Sequence, residues 1–408
     1  MRAQAGWADS KLDEVTLRGS GHTPNQQHPD YWDGDIGWIS LADSGRLDQG
    51  YISSSTRRIT TRGMEKSSAV LHPAGTVIMS RDAGVGKSAV LREAMAVSQH
   101  FIAWDCRAMG VLEPWYLYYW LQTHKGYFER MAVGSTIKTI GLPLFKRLTI
   151  SHPPLPEQRK IAEILRTWDD AIERANTLVV RLRGQHRLLL QGLIARHAHG
   201  SHVALGDLVE PVKAKNAVGE TNVLTSSARE GLVSQTEYFN KSVAGKNLAG
   251  YYLLHRGDFA YNRSSSAGHP FGAIRRLDRY DRGVISTLYL CFRLQENSPM
   301  SGTFLQNIFN SELLDRQLSP ICHEGARSHG LLNIAQADFF ELVVPVPSRE
   351  AQEIANRALA ASSSEIRLVK RKAELLRTQK QGLMQKLLTG QVRVNVAADI
   401  NAGGQDNG

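Results

Sequence analysis

The feature that most constrains the fold is a long internal repeat, each copy of which ends in an uninterrupted helical pattern. Residues 140–196 and 334–389 both contain an apolar, strand-like run, a proline-rich stop and then a long heptad pattern. Within them, Ile161-Ala162 aligns with Ile354-Ala355, and Gln191-Gly192-Leu193 aligns with Gln381-Gly382-Leu383. Because a repeat of this length corresponds to a repeated structural unit, the chain is predicted to contain two copies of the same structural unit.

Both repeats place apolar residues at alternating spacings of four and three, which indicates a coiled-coil seam. Two such stripes in one chain are predicted to pair with each other, although each helix packing on its own domain is the alternative. Ser362 and Lys380 interrupt the second stripe. The predicted seam positions are Ile161, Leu165, Trp168, Ile172, Ala175, Val179, Leu182, His186, Leu189 and Leu193, followed by Ala355, Leu359, Ser362, Ile366, Val369, Ala373, Leu376, Lys380, Leu383 and Leu387.

The segments that precede the two helices differ from the helices in composition. They are rich in Gly, Tyr, Trp and short β-branched runs such as GTVIMS at 75–80. Turn residues separate these runs, as expected for strands in compact mixed domains. The predicted fold class is therefore α+β with a pseudo-two-fold internal repeat. The predicted organisation is a globular domain at 1–155, a helix at 156–200, a second domain at 201–347, a second helix at 348–391 and a disordered polar tail at 392–408.

The charge balance favours a polyanionic partner. The 408 residues include 49 Lys+Arg and 39 Asp+Glu, a formal charge of +10, which favours nucleic acid first and an anionic membrane surface second. No stretch approaches the ~18 consecutive apolar residues of a membrane span, and the start of the chain lacks the apolar core of a secretory signal. The three cysteines form no CxxC pair, so neither a disulfide framework nor a zinc site is predicted. We expect a cytoplasmic protein without a membrane partner.

Two runs of the first predicted domain carry a family resemblance, those at 19–43 (GSGHTPNQQHPDYWDGDIGWISLAD) and 67–90 (SSAVLHPAGTVIMSRDAGVGKSAV). They are similar to a target recognition domain of the DNA-specificity subunit of Type I restriction–modification systems, and the resemblance extends over nearly the whole chain. The run at 134–165, which contains PLPEQ, is similar to its junction into the conserved helix. The runs at 231–262 and 283–294 resemble a second recognition domain. The distal counterpart of PLPEQ, Pro347-Ser348-Arg349-Glu350-Ala351-Gln352, differs from that signature.

The resemblance implies two target recognition domains separated by two long antiparallel coiled-coil helices, and a function in binding rather than catalysis. Such a subunit reads one half of a split double-stranded DNA site with each domain, and the helix pair sets the spacing of the halves. It holds two methyltransferase subunits for adenine-N6 methylation, and motor-nuclease subunits join for restriction. S-adenosylmethionine, ATP and Mg are then expected on the partners and no cofactor on this chain. Adding or removing one helical turn should change the spacer and not the bases read.

Cations in loops and turns are the candidates for DNA contact, because Arg and Lys bind phosphate and Arg also reads guanine. Arg57, Arg263 and Arg327 are the preferred candidates for reading bases. A solvated surface charge is the alternative for each of them. The full predicted set is Arg57, Arg58 and Arg62 in the loop 53–62, Arg81, Lys87 and Lys138 in Gly-rich turns, and Asn262, Arg263, Arg275, Arg276, Arg327 and His329 in the second domain.

Other functions remain as alternatives. The run 82–88 resembles a nucleotide-binding phosphate loop, but Arg81 stands where that pattern requires Gly. His197, His199 and His202 are spaced for metal ligation but fit better as a helix C-terminal turn, so no metal site is predicted. No catalytic motif is present, so no catalytic residue is predicted. A recognition subunit of a related fused restriction system and a coiled-coil scaffold without a DNA role are further alternatives. The helix cations considered for methyltransferase docking are Lys160, Arg174, Arg181, Arg183, Arg367, Lys370, Arg371 and Lys372.

Overall fold

The computed structural model describes residues 6–196, 201–227, 231–239, 247–265, 269–324 and 331–395. It divides into two compact units. Unit 1 comprises Met1–Ala175 and Lys372–Gly408, and unit 2 comprises Asn176–Arg371. Each unit therefore contains one of the two predicted globular segments together with parts of both long helices.

Unit 1 is a mixed α+β unit whose helices are mostly short. Its helices are α1 (Leu12–Val15), α2 (Thr61–Glu65), α3 (Pro114–Thr123), α4 (Lys125–Met131), α5 (Leu142–Lys146) and the start of α6 (Leu155–Ala195), together with the end of the second long helix, α11 (Arg349–Leu388). Its strands are β1 (Ala8–Lys11), β2 (Leu17–Ser20), β3 (Trp32–Ile39), β4 (Tyr51–Ile52), β5 (Arg57–Ile59), β6 (Leu71–His72), β7 (Val77–Ser80), β8 (Ser88–Leu91), β9 (Met95–Val97), β10 (Phe101–Asp105) and β11 (Thr149–His152).

The strands of unit 1 form a sheet with the order β2-β10-β7-β8-β4, a sheet with the order β5-β3-β9-β6 and the pair β1-β11. Helix α3 is buried along most of its length and packs on the first sheet with Tyr116, Tyr119 and Trp120 in the core. The same core includes Ile161 and Leu165 of α6. The first domain and the beginning of the long helix are therefore held together by one apolar core.

Unit 2 has a comparable composition of elements. Its helices are α7 (Gln235–Phe239), α8 (Gly302–Phe309), α9 (Asp315–Leu318), α10 (Gln336–Phe340) and the first part of α11 (Arg349–Leu388), together with the last part of α6. Its strands are β12 (His202–Ala204), β13 (Val209–Pro211), β14 (Leu224–Ser227), β15 (Gly231–Ser234), β16 (Tyr252–His255), β17 (Phe259–Asn262), β18 (Ala273–Arg276), β19 (Arg282–Ile285), β20 (Leu290–Leu294), β21 (His323–Glu324), β22 (Leu332–Asn333) and β23 (Val343–Pro345).

The strand order repeats between the units. The order β13-β20-β17-β18 in unit 2 corresponds to β2-β10-β7-β8 in unit 1, and the pair β12-β23 corresponds to β1-β11. The pairs β1-β11 and β12-β23 each join the first strand of a domain to the strand that leads into a long helix. The predicted α+β class with a pseudo-two-fold repeat is confirmed.

The long helices contact each other within each unit. In unit 1, Glu157 of α6 contacts Arg393, just after α11, and Asp169 of α6 contacts Lys380 of α11, so one residue number rises as the other falls and the helices run antiparallel. In unit 2, His186 of α6 contacts Ser362 of α11. Most predicted seam positions are buried or half-buried. The prediction for Leu189 is wrong, because it is 37% exposed while its neighbour Leu190 is 4% exposed. A straight helix drifts by about 20° per heptad relative to a 3.5-residue repeat, which moves the buried face by one position.

A buried glutamine anchors the start of each long helix. The Gln158 side chain donates to the carbonyls of Val111 (3.0 Å) and Pro153 (2.8 Å) and accepts from the amide of Glu113 (2.9 Å). It is fully buried. These three bonds tie the proline-rich stop, the helix and the loop before α3 to one another, and they satisfy backbone groups at the helix root.

Gln352 makes the same three kinds of bond in unit 2. It donates to Pro299 O (2.9 Å) and Pro347 O (2.9 Å) and accepts from Ser301 N (2.7 Å). Although the distal signature differs in sequence, its local contacts are therefore the same. Gln158 and Gln352 set a repeat shift of 194 residues (352 − 158), under which Ile161 corresponds to buried Ala355. The alignment of Ile161 with Ile354 is wrong by one residue, since Ile354 is 50% exposed.

Candidate nucleic-acid interface

The Gly-rich run of the first domain is a hairpin turn. Residues 81–87 join β7 to β8, which pair in antiparallel fashion, and Gly84 and Gly86 adopt positive φ values of 113° and 83°. Lys87 points to its own domain, where its ammonium donates to the carbonyl (3.2 Å) and hydroxyl (3.1 Å) of Ser44. A phosphate loop leads from a strand into a helix, and here a strand follows. The geometry counts against the nucleotide-binding alternative.

Two further loops lie beside this turn. The Arg81 amide donates to His100 O (2.9 Å), and the Arg81 carbonyl accepts from Ile140 N (2.9 Å). The Arg81 Nε is buried without a hydrogen-bond partner, and the residue as a whole is half-buried. The Asp82 carboxylate lies 2.6 Å from His100 Nδ1. The three predicted cations Arg81, Lys87 and Lys138 therefore belong to one loop cluster at the Ser80 end of the sheet.

Lys138 is the most accessible predicted cation in this cluster. It is exposed on the loop 133–139, which is closed by reciprocal backbone bonds between Val133 and Thr139 (3.0 and 2.9 Å). Within the described residues it makes no hydrogen bond or ion pair. Gly134 has a φ of 131°, and a Cβ there would lie 2.2 Å from Ile137 O, so the loop requires glycine. This tight loop holds Lys138 at a fixed place on the surface.

The three arginines predicted to lie in the loop 53–62 are more constrained than expected. Residues Arg57–Ile59 form β5, which pairs with β3, so the prediction of a loop is wrong over these positions. The Arg57 guanidinium stacks 3.6 Å from the Trp32 ring centroid. Arg58 donates to the carbonyls of Gly34 (2.9 Å) and Asp35. Arg62 forms an exposed ion pair with Asp30 at 3.1 Å.

In the second domain Asn262 and Arg263 lie at the end of β17. Arg263 donates from Nε (3.2 Å) and Nη2 (2.9 Å) to the carbonyl of Leu288, and the Asn262 amide oxygen accepts from Ser264 N (3.2 Å). Both side chains are partly exposed. Arg263 keeps donors for a ligand, because a guanidinium has five N–H groups. Arg327 and His329 lie outside the described residues.

Arg275 and Arg276 lie on β18. Arg276 forms an ion pair with Asp278 (2.7 Å) and donates to Thr303 (3.1 Å). Arg275 donates to the Asn310 side chain at 2.9 Å, and burial lowers its pKa. Arg275 also lines a cavity of about 590 Å³ in unit 2, together with His186 and His269.

One group of cations is not among the residues predicted from sequence. Arg92, Arg107, Arg159 and Arg166 lie around Tyr51 and Trp115 at the start of α6, although they come from separate parts of the sequence. No local motif marks them, because their proximity arises only from the packing of β4, β8, α3 and α6. Arg166 follows the PLPEQ signature two helical turns after Arg159, and this spacing on one helix is the available signal.

The cysteines and histidines bear on other kinds of chemistry. Burial raises the pKa of the Cys106 thiol, and it raises that of Cys291 to about 12, so neither thiol is prepared as a nucleophile. Among the described residues, no three His, Cys, Asp or Glu side chains come together as a metal site. His202 lies in β12, whereas His197 and His199 fall outside the described ranges. Within the described part of the chain, no helix is long and apolar enough to cross a membrane.

The comparisons with known proteins agree with one another on a protein family. The model of the Type I restriction modification DNA specificity domain matches residues 4–180. The Type I restriction enzyme MjaIX specificity subunit of Methanocaldococcus jannaschii is 31% identical over 172 residues, which are 41% of this chain and 39% of that relative. The MjaVIII specificity subunit of the same organism is 23% identical over 314 residues, covering 70% of this chain and 71% of the relative. The first match thus spans well under half of that relative.

Solved structures share the fold over nearly the full chain. The S subunit of a Type I restriction–modification system from M. genitalium has a TM-score of 0.52 at 15% identity, covering 95% of this chain and 96% of that one. A chain solved in work on complex assembly and conformational transition of the type I R-M system has a TM-score of 0.61 at 16% identity. Its match covers 96% of this chain and 100% of that chain. At these identities the likeness concerns the fold.

Proposed function

We propose that this chain is a DNA-specificity subunit of a Type I restriction–modification system and that it reads a bipartite site in double-stranded DNA, with one half-site for each recognition domain. The observation that carries the proposal is the repeated strand order, β2-β10-β7-β8 and β13-β20-β17-β18, at the roots of the two long helices. The same scaffold thus occurs twice and carries different loops. Two scaffolds with different loops can bind two different base sequences.

The chain itself is proposed to supply binding and no chemistry. Two methyltransferase subunits would carry S-adenosylmethionine and methylate adenine N6, and motor-nuclease subunits would carry ATP and Mg for restriction. The exposed positions Arg174, Arg181, Arg183, Arg367, Arg371 and Lys372, with the half-buried Lys160 and Lys370, remain the predicted docking side chains on the helices. We place the complex in the cytoplasm, where it reaches cellular and incoming DNA.

DNA contact is proposed for the exposed loops of both domains. Lys138 and Arg62 in unit 1 and Arg263 in unit 2 keep exposed donors, and they are the predicted residues best placed to reach a backbone or a base. Lys87, Arg57 and Arg275 have internal partners and are proposed to support the loops rather than to read bases.

The test is single-molecule methylation sequencing of genomic DNA from the host strain, a deletion strain and a deletion strain complemented with the wild-type gene. We expect one bipartite adenine-methylated motif to disappear on deletion and to return on complementation. The map then gives both half-sites and the spacer. Identical methylation maps in the three strains, with the methyltransferase subunit present by immunoblot, would contradict the proposed function.

A further inference from the structure

A cavity of about 510 Å³ lies in unit 1 at the root of α6, away from the loops on which DNA contact was predicted. Tyr51, Trp115, Arg107, Arg159 and Arg166 contribute to its wall. Strand β7 separates it from the loop 81–87, because Gly75 of the cavity wall precedes Val77 and the loop follows Ser80. The cavity therefore lies at the opposite end of this sheet from Lys138.

The charged residues that line this cavity are Arg107, Arg159, Arg166 and Glu113. Glu163 and Asp170 line an adjoining cavity that Arg159 and Arg166 also border. The Arg166 guanidinium lies 4.8 Å from the Trp115 ring centroid and 5.8 Å from that of Tyr51, and Arg92 lies 5.4 Å from the Tyr51 ring. Glu113 is the carboxylate that lines the wall, 3.8 Å from Arg159. Within the described ranges, the guanidiniums of Arg92, Arg107 and Arg166 form no ion pair with a carboxylate.

The wall of the cavity is held in place by the fold. Gly75 has a φ of 87°, and a Cβ there would lie 2.8 Å from Arg107 Nη2, so the arginine packs against bare backbone. Gln158 fixes Val111 and Glu113 next to the wall. Helix α3 begins at Pro114, and the partial positive charge of its N-terminus adds to that of the arginines.

The two helix arginines of the cluster have no counterpart in the second copy. Under the shift set by Gln158 and Gln352, Arg159 corresponds to Glu353 and Arg166 corresponds to Ala360. A docking site for two identical methyltransferase subunits would be expected in both copies. A feature found in one copy instead fits a ligand that binds to the first domain alone.

We propose that this arginine cavity binds phosphate groups, either those of the DNA backbone beside the half-site read by the first domain or those of a free nucleotide. The guanidiniums of Arg92, Arg107 and Arg166, which form no ion pair among the described residues, repel one another, and an anion offsets that repulsion. Arg binds phosphate oxygens through two parallel hydrogen bonds, and the partly exposed Tyr51 offers a ring beside them. The DNA source rests on the proposed function, whereas the nucleotide source does not.

The test compares the full-length double variant Arg107→Gln/Arg166→Gln with the wild type and with Arg130→Gln. Arg130 is an exposed arginine of the same unit with no hydrogen bond or ion pair among the described residues, which makes it a matched control. Tryptophan fluorescence confirms that each variant is folded. Each protein is titrated with cognate duplex and unrelated duplex over a range of salt concentrations, and with ATP and inorganic pyrophosphate by calorimetry.

If DNA is the source, the double variant binds both duplexes about five- to tenfold more weakly, with unchanged discrimination between them. The steepness of log K against log salt falls by about 0.9 for each DNA phosphate that the variant no longer neutralises. If a free nucleotide is the source, ATP or pyrophosphate binds the wild type and not the double variant, while DNA binding is unchanged. Arg166→Lys, which keeps the charge, retains most of the binding in either case.

Two results would overturn the assignment. Equal behaviour of the double variant and Arg130→Gln in every titration means that the cavity holds no phosphate. Loss of association with the methyltransferase subunit, with DNA and nucleotide binding intact, identifies an acidic protein segment instead. The wild-type discrimination between cognate and unrelated duplex tests the proposed function separately, so the two failures are distinguishable.

Discussion

At the scale of single residues, Gln158 and Gln352 explain how two different sequences start a long helix in the same way. Each amide is fully buried and bonds two carbonyls and one backbone amide, which come from two chain segments outside the helix. The neighbouring position is used differently. Glu157 binds Arg393 at 2.8 Å in unit 1, whereas Ala351 takes that place in unit 2. Arg393 falls in the predicted disordered tail, so at least this part of the tail contacts unit 1.

We expect Gln158→Met to destabilise unit 1 by about 3 kcal/mol, because two carbonyls and one amide lose a buried partner while the side-chain volume is kept. All seven tryptophans lie in residues 1–175, so tryptophan fluorescence in urea reports on unit 1. The matched control is Gln379→Met on the exposed face of α11 within unit 1, where a change below about 0.5 kcal/mol is expected. Equal effects at both positions would contradict the anchoring role.

Two histidines of unit 1 should make its stability depend on pH. Burial lowers the pKa of His72 and of His124 below the ordinary value of 6.5. As the pH falls through 6.5, these histidines bind protons in the unfolded chain but not in the folded unit, so the free energy of unfolding decreases. The slope is at most about 1.4 kcal/mol per pH unit for each histidine. Urea unfolding from pH 7.5 to 5 should show this loss, and His72→Gln should reduce it. An unchanged slope in that variant would contradict the assignment.

At the scale of the helices, both breaks in the second apolar stripe are matched by polar partners. Lys380 donates to Asp169 in unit 1, and Asp169 also accepts from the Tyr119 hydroxyl at 2.7 Å. Ser362 bonds to His186 at 3.1 Å in unit 2. A polar group in an apolar seam is tolerated when its partner stands opposite, and it disfavours other registers. These pairs are therefore proposed to set the antiparallel register.

A double-mutant cycle with Asp169→Leu and Lys380→Met tests this role. Each single variant leaves a partly buried charge without its partner, so both should lower the stability of unit 1, while the double variant should recover much of the loss. The expected coupling is about 1 kcal/mol, since Asp169 is 41% exposed and solvent screens the pair. The exposed pair Lys11–Glu14 is the control, with coupling below about 0.5 kcal/mol. Strictly additive losses at the seam would contradict the pairing role.

At the scale of the whole molecule, the chain is two units of like topology whose sequences differ. The shared strand order preserves the scaffold, while the loops that carry the exposed cations differ between the two units. In the proposed function this separation lets one half-site change without the other.

Replacing residues 1–150 by the recognition domain of another specificity subunit should change one half-site of the methylated motif and leave the other intact. The reciprocal exchange of residues 201–345 should change the remaining half-site. Methylation sequencing of strains that carry each hybrid gives the answer directly. A hybrid that alters both half-sites, or neither, in a strain with active methyltransferase would refute the assignment of one half-site to each domain.

Features that local patterns encode could be predicted from the sequence. Heptad spacing predicted the two long helices, proline-rich stops located their beginnings, and the repeat with its PLPEQ signature indicated the family. These signals depend on residues close together in the chain, whose conformational preferences hold in most contexts. Even the seam was predicted well, apart from the drift that places Leu190 rather than Leu189 in the interior.

Which charged side chains are available for a ligand depends on the tertiary packing and could not be predicted from the sequence. Arg57 stacks on Trp32 and Lys87 is bound by Ser44, although both look exposed in sequence, whereas Arg107 and Arg166 meet at one cavity from distant segments. The same packing buries Gln352 in the position equivalent to Gln158 and leaves Ile354 exposed. The reason is physical: the environment of a side chain is set by groups far away in the chain, and their approach depends on how strands and helices pack, which no local pattern records.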